Sequence, residues 1–258
     1  MTGPRSWILE ETNWKSVQNS RFDVAVLPWG ATEAHNLHMP YGTDTLQAAR
    51  VAAESARLAC ERGARVMVLP AVAFGVQTGQ LDIPFCINMN PSTQAAVLAD
   101  VAASLEPHAV KALVIVNGHG GNDIRTMIRQ LQPRTKLLLC TLNWWTCIDA
   151  ARFFDEPGDH AGELETSVVM HLQPDLVLPL EEAGPGAARP FRVAAFREGW
   201  AWTQRRWTQV TRDTGVGDPH AATAAKGAAF VVAVTERIAS FLVELGGTDP
   251  DDMYVEAP

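Results

Sequence analysis

The sequence predicts an α/β fold with a largely parallel sheet, and three observations carry that expectation. Four short apolar runs rich in Val, Ile or Leu each close on Pro, Gly or Asn, as buried central strands do. Segments patterned at helical spacing lie between them. The chain has 258 residues, 47% hydrophobic and 19% charged, which is enough to enclose one full core and far from the profile of a disordered chain.

In chain order, the first strand is expected over residues 23–28 (DVAVLP). A helix follows over 45–61, with Leu46, Ala49, Ala53, Ala56 and Cys60 at 3.6-residue spacing. The second strand is expected over 64–70 (ARVMVLP) and the third over 112–117 (ALVIVN). After the third comes a Gly-rich turn and a helix on which Ile124, Met127, Ile128 and Leu131 share one face. The fourth strand is expected over 136–142 (KLLLCTL), and a further helix opens at 163–166 with Leu164, Val168 and Leu172 as its stripe. The last helix runs from about 221 to 245, its core face reading Val231, Val234, Ile238, Phe241 and Leu245. Residues 179–190 read as a loop from their Gly and Pro content. The aromatic, basic stretch 191–212 follows, and the alternation in GWAWTQ predicts a strand or hairpin there. No repeat and no Ser/Gly linker divides the chain, so residues 1–258 are expected to form a single domain with 191–212 as an excursion.

Composition narrows the function classes. With 29 acidic and 21 basic side chains the formal charge is −8, and no basic stripe suits a nucleic-acid partner. Cys60, Cys86, Cys140 and Cys147 lack the spacing of a zinc knuckle or redox pair. The N-terminus has no apolar signal region, and the longest C-terminal apolar stretch, 228–234, is too short to span a bilayer. The expectation is a soluble cytoplasmic protein with no membrane partner.

Four features bear on chemistry. Residues 30–44 (GATEAHNLHMPYGTD) place Glu33, His35, His38 and Asp44 directly after the first strand, where α/β sheets bind ligands. Imidazole and carboxylate are the donors Zn²⁺ or Mn²⁺ prefers, although solvated side chains of a polar loop give the same letters. NGHGGN (117–122) puts His119 at a glycine turn after the third strand; it is either a ligand-approaching loop or a tight βα turn. It matches neither nucleotide-binding glycine pattern. HAGELETS (160–167) brings His160, Glu163 and Glu165, whose acidic residues equally suit a helix first turn. Trp144 and Trp145 after the fourth strand, and Trp200, Trp202 and Trp207 later, are pocket walls, core or an oligomer interface. No GxSxG elbow and no recognisable catalytic cysteine is present. The chemistry then falls to metal-activated water, or there is none.

LPWGATEAHNLHMPYGTD resembles the first signature of the creatininase family of metal-dependent amidohydrolases, and NGHGGN and HAGELETS resemble its second and third, in the same order. The resemblance spans roughly residues 22–172. It implies a three-layer α/β/α fold with a mainly parallel sheet, two divalent metal ions per chain, and a homo-oligomer, commonly a hexamer. By the same resemblance Glu33, His35, Asp44 and His119 are metal ligands, with Asp44 bridging the ions. Creatininase supplies a further Glu two residues after its NGH histidine, where this chain has Gly121. The resemblance therefore points to Glu165 as the fifth ligand, with Glu163 the other candidate. His160 matches the family's proton shuttle, so His160 and Glu165 are the catalytic candidates. His38 matches a histidine beside the metals, and His38, Trp144 and Trp145 are the candidate substrate contacts. Residues 74–90 (FGVQTGQLDIPFCINMN) depart from the family's FPGT-containing stretch, so creatininase's own substrate contacts do not carry over.

The reading is a metal-dependent amidohydrolase that cleaves a non-peptide C–N bond of a small cyclic or linear amide. Zn²⁺ is the expected metal, with Mn²⁺ or Fe²⁺ suited to a more oxygen-rich position. Two alternatives stand beside it. One is a deformylase or peptidase on the same scaffold, with Arg192, Arg197, Arg205 and Arg206 available for a phosphate. The other is a nonenzymatic α/β module that binds a small ligand.

Overall fold

The computed structural model describes residues 4–256. Its centre is a parallel sheet of β1 (Val24–Trp29), β2 (Val66–Val68), β3 (Ala112–Asn117) and β4 (Leu138–Asn143), in the order β2-β1-β3-β4. The longer helices are α1 (Thr43–Glu61), α2 (Pro91–Leu105), α3 (Ile124–Leu131), α4 (Glu163–Leu172) and α5 (Ala224–Gly247). Alternation along the strands explains the layering. Val24, Val26, Val114 and Val116 face a core shared with α1, α4 and α5, through Ala52, Val168, Phe230, Val234 and Leu242. Ala25, Leu27, Trp29, Leu113 and Ile115 face the opposite core, closed by α2 and α3 through Leu98, Met127 and Leu131. Both sheet faces are therefore covered, which is why β1 and β3 are buried along their whole length and apolar up to Asn117.

The strand order fixes where a ligand can sit. The chain leaves β1 through α1 on one face of the sheet and leaves the adjacent β3 through α3 on the other. That reversal opens a crevice beyond the carboxyl ends of β1 and β3. Register pairs Trp29 with Asn117, and the amide of Gly118 donates to the carbonyl of Trp29 at 2.8 Å. The two motif-bearing loops therefore start side by side.

Several expectations are corrected. The third strand has the expected bounds, those of the first and fourth move by one or two residues, and β2 is shortened to three. Helix α2 has no counterpart in the sequence reading: its Ala-rich pattern lacks a strong apolar period, and Asn90–Pro91 reads as a turn although Pro suits a first helical position. The buried stripe of α1 is Gln47, Ala48, Val51, Ala52, Ser55, Ala56 and Ala59; Leu46, Ala49 and Ala53 are only half-buried. Small side chains on several faces let this helix turn Asp44 and Gln47 inward without losing its packing. In α5 Leu242 is buried and Phe241 half-buried. No strand forms over GWAWTQ. Residues 191–212 contain two helical turns, Ala194–Arg197 and Trp207–Val210, and Trp200 and Trp202 are both exposed, at 75% and 83%, because no neighbouring strand is there to pair with them. Among the described residues no helix is long and apolar enough to cross a membrane.

These contacts predict that Leu242→Ala lowers stability by about 2–5 kcal/mol through lost burial and a residual cavity. Leu46→Ala costs markedly less, and chemical denaturation of both variants checks the ordering.

Candidate metal centre

The crevice is built from three loops. The loop after β1 carries Glu33 and His35, and Asn36 takes a left-handed conformation (φ 53°) to turn the chain between His35 and His38. Its side chain fixes that turn by accepting from the amides of Leu37 at 2.6 Å and Gly184 at 2.8 Å, and by donating to the carbonyl of Gly184 at 2.9 Å. Asp44 follows in the first turn of α1, at the positive end of the helix. The loop after β3 presents His119. Asn117 donates to the His119 carbonyl at 2.8 Å, and Asn122 donates to Asn117 Oδ1 at 3.0 Å, so both asparagines of NGHGGN brace the turn. The third loop presents His160, then Ala161 in a second left-handed conformation (φ 52°), then Glu165 in the first turn of α4. The Ala161 amide donates to Glu165 Oε2 at 2.5 Å, which aims the carboxylate back toward the crevice.

Two ligand sets meet at Asp44. Glu33, Asp44 and His119 offer donor atoms within 4.8 Å of one another, and so do His35, Asp44 and Glu165. His119 Nδ1 lies 2.8 Å from Glu33 Oε1 and 3.0 Å from Asp44 Oδ2; His35 Nε2 lies 2.9 Å from Asp44 Oδ1. Each histidine is pinned from behind by a backbone carbonyl: His35 Nδ1 by Glu33 at 3.1 Å, His119 Nε2 by Val76 at 3.1 Å, and His160 Nε2 by Ala34 at 2.8 Å. In each ring the pinned nitrogen carries a proton, and the opposite one is left to face the carboxylates. Second partners of this kind are what orient metal-binding histidines. Asp44 Oδ2 is buried with no donor aligned on it. The donor set and that orphaned oxygen fit a pair of divalent cations sharing Asp44.

Glycines make room for this. A Cβ at Gly121 would come within 2.5 Å of both His119 Nε2 and the Val76 carbonyl, and one at Gly75 within 2.7 Å of the His119 ring. The bare position 121 is what allows His119 to reach its backbone partner.

The electrostatics follow from burial and pairing. Burial alone would depress the His35 imidazole, but Asp44, with Glu165 and Glu33 behind it, holds it up at about 10. His119 opposes burial in the same way and is raised well above its ordinary range by Glu33 and Asp44. Burial would raise the Glu33 carboxyl, yet His119, His160 and His35 hold it well below the usual range. Glu165 is raised by burial, with His35 and His160 offsetting part of the effect. Without metal, protons on His35 and His119 are the cations among these carboxylates, and divalent ions compete for the same nitrogens.

Of the candidate substrate contacts, Trp145 lines the cavity of about 140 Å³ that contains Glu33, Asp44, His119, His160 and Glu165. Trp144 does not line it. Its ring is 1% exposed and packs in the core against Phe230, at 6.1 Å between centroids. His38 does not line it either. It is buried behind the crevice, its Nε2 is 3.0 Å from Thr166 Oγ1, and burial, with His220 and His35 nearby, lowers its pKa to about 4. Glu163 is turned away from the crevice, paired with Lys226 and accepting from the Glu156 amide at 2.9 Å. Sequence reasoning missed Gln80, which donates to Glu33, and Gln77, 3.2 Å from His119 Nε2. Both lie in the departure at 74–90, the only local signal they left.

Residues 10–242 match the Creatininase family model, described as creatinine amidohydrolase. The chain belongs to the creatininase family. Among its relatives is the mycofactocin precursor peptide peptidase of Mycobacterium tuberculosis, 32% identical over 86% of this chain and 87% of that protein. The solved structure of an unconfirmed creatinine amidohydrolase from Bacteroides fragilis is 42% identical, with a TM-score of 0.90 over 95% of this chain and 98% of that one. Creatininase structures described as a Zn–Zn type and a Mn form share the fold, both at a TM-score of 0.72 over 93% of this chain and 98% of those, with 24% and 22% identity. The creatininase-family fold thus places its motif loops at the sheet's switch point.

Two predictions follow from the geometry. Gly121→Ala displaces His119 from Val76 and should weaken metal affinity by roughly 10–100-fold, measured by titration of the chelator-stripped protein. In metal-free protein the His35 pair has a folded pKa of about 10 against 6.5 for the free side chain. A raised pKa contributes stability that is complete below about 6.5 and lost as the pH climbs through 10. Because divalent ions replace those protons, the rise in Tm on adding Zn²⁺ should be larger at about pH 9 than at about pH 6. An equal or smaller gain at the higher pH contradicts the proton–metal exchange.

Proposed function

We propose that this family member is a hydrolase of amide C–N bonds that works with two divalent ions. The observation that carries the reading is the buried Asp44 carboxylate, flanked by two ligand sets whose histidines are held by backbone carbonyls. Glu33, Asp44 and His119 would hold one ion, and His35, Asp44 and Glu165 the other. Ions held there would supply a nucleophile by acidifying water and would polarise the substrate carbonyl. Zn²⁺ suits the imidazole and carboxylate donors, and Mn²⁺ is compatible with them.

The chain's own residues perform the proton work. His160 donates its Nε2 proton to the Ala34 carbonyl, so Nδ1 is its open nitrogen, 4.0 Å from Glu33 Oε1. An imidazole in that position takes a proton from the nucleophile and delivers it to the leaving nitrogen. Its ring stacks on His35, with centroids 4.3 Å apart, and meets the edge of Trp207 at 5.3 Å. These contacts fix its orientation. Trp145 forms one wall of the cavity.

A cavity of about 140 Å³ favours a small amide or the narrow end of a larger one. A second reading, peptide hydrolysis, is favoured by the similarity to the mycobacterial precursor peptide peptidase. It requires the peptide chain to extend out of the cavity.

The test compares metal-loaded wild type with Asp44→Ala on creatinine, formamides and short peptides, with metal content measured on both. The wild type should hydrolyse one of these classes, opening the creatinine ring to creatine or releasing a free amine from a formamide or peptide, and Asp44→Ala should lose that turnover together with more than half of the metal. Undiminished turnover in Asp44→Ala, or in chelator-stripped wild type, rules the reading out.

A further inference from the structure

Beside the metal cavity lies a larger cleft of about 820 Å³, lined by Arg189, Arg192, Arg197, Arg205 and Arg206 together with Phe191. No carboxylate lines it. Among the described residues, only Arg205 of these five forms an ion pair, through Nη1 to Asp159 at 2.7 Å. Arg197 spends its Nη1 on the carbonyls of Phe191 and Arg192, both at 2.7 Å, which braces the cleft wall. Arg189, Arg192 and Arg206 have no side-chain partner among the described hydrogen bonds. Five guanidiniums around one concavity, in a chain of net charge −8, concentrate positive potential at one place, where an anion is attracted. Guanidinium groups match carboxylate and phosphate oxygens with paired donors.

The cleft is joined to the metal cavity by packed contacts. Arg205 lines the cleft, while its partner Asp159 lines the cavity. The Arg205 guanidinium lies 4.4 Å over the ring of Trp207, which in turn meets His160. Trp207 is 6% exposed, and its indole Nε1 is buried without an acceptor. Trp207 donates its backbone N–H to the Gly79 carbonyl at 3.0 Å, and a Cβ at Gly79 would come within 2.4 Å of the Arg205 carbonyl. The same loop carries Gln77 and Gln80, which reach His119 and Glu33. Opposite walls of the cleft are tied by the Arg189 amide, donating to the Val210 carbonyl at 2.8 Å.

We infer that the arginine cleft is a subsite for an oxyanionic group, carboxylate or phosphate, carried by the amide substrate whose scissile bond enters the metal cavity. The role in substrate binding rests on the hydrolase reading above; the anion site itself does not. The cleft takes the charged arm, Arg205 stands at the junction, and the small cavity takes the amide end. Neutral amides are then poor substrates, and amides with a carboxylate or phosphate at a distance from the carbonyl are good ones.

The experiment uses the full chain stripped of metal, so that no divalent ion can take up the probe. Inorganic phosphate and acetate are titrated separately by calorimetry into wild type and into a variant with Arg192→Ala and Arg206→Ala. One of the two anions should saturate a single site per chain in the wild type, which identifies the source of the oxyanion. Its affinity should fall by roughly tenfold or more in the variant. Circular dichroism of the variant, and its zinc content after reloading, serve as folding controls. Saturation by neither anion, or equal affinity in a folded variant, overturns the proposal. On metal-loaded protein, the variant should raise KM for an acylated amino acid bearing a free carboxylate more than for its carboxamide. An equal effect on both overturns the substrate role. Turnover of the wild type is read separately, so failure of the hydrolase reading is distinguishable from failure of the cleft.

Discussion

Three carboxylates, Glu33, Asp44 and Glu165, share one crevice with three imidazoles, and the rest of the molecule is arranged around keeping their charges balanced away from bulk water. Carboxylates that close together and that poorly solvated are strongly unfavourable without cations between them. Asp44 is the pivot. One of its oxygens is occupied by His35 and the other meets His119 without an aligned donor. Taking either imidazole away leaves a buried negative charge, so these side chains are interdependent.

The scaffold meets this constraint through topology and backbone. Neighbouring strands β1 and β3 send their chains to opposite faces of the sheet and leave the crevice open at their carboxyl ends. Each of His35, His119 and His160 has one ring nitrogen held by a backbone carbonyl. Those bonds tie the imidazole geometry to the loop backbone, and the loops in turn rely on left-handed Asn36 and Ala161. Non-glycine residues rarely adopt this conformation, and such positions concentrate at functional sites. The excursion at 191–212, through Trp207 and Arg205, closes over the open side of His160 and adds a cationic annex to an otherwise acidic molecule.

Much of this was legible in the residues. The short aliphatic runs of β1 and β3, each closed by Pro or Asn, read as buried strands, and the charged residues placed just after them are conspicuous because nothing in a core needs them. What stayed hidden depended on three-dimensional choices. Trp144 and Trp145 are neighbours in sequence, yet the turn after β4 sends one into the core and the other to the cavity. Glu163 and Glu165 both open α4, and only the position of Lys226, sixty-three residues after Glu163, decides which of them is neutralised as a structural ion pair. The stripe of α1 was displaced because alanines on several faces leave the periodicity without a strong phase. Gln77 and Gln80 carry no pattern of their own, since uncharged amides in a loop resemble any polar loop.

The proposed centre depends on Asp44 joining two cation sites. Anomalous diffraction from crystals of the full chain equilibrated with Zn²⁺ tests this most directly. The expected result is two anomalous peaks, one contacted by Glu33 and His119, the other by His35 and Glu165, with Asp44 touching both. A single peak, or zinc bound away from Asp44, contradicts it.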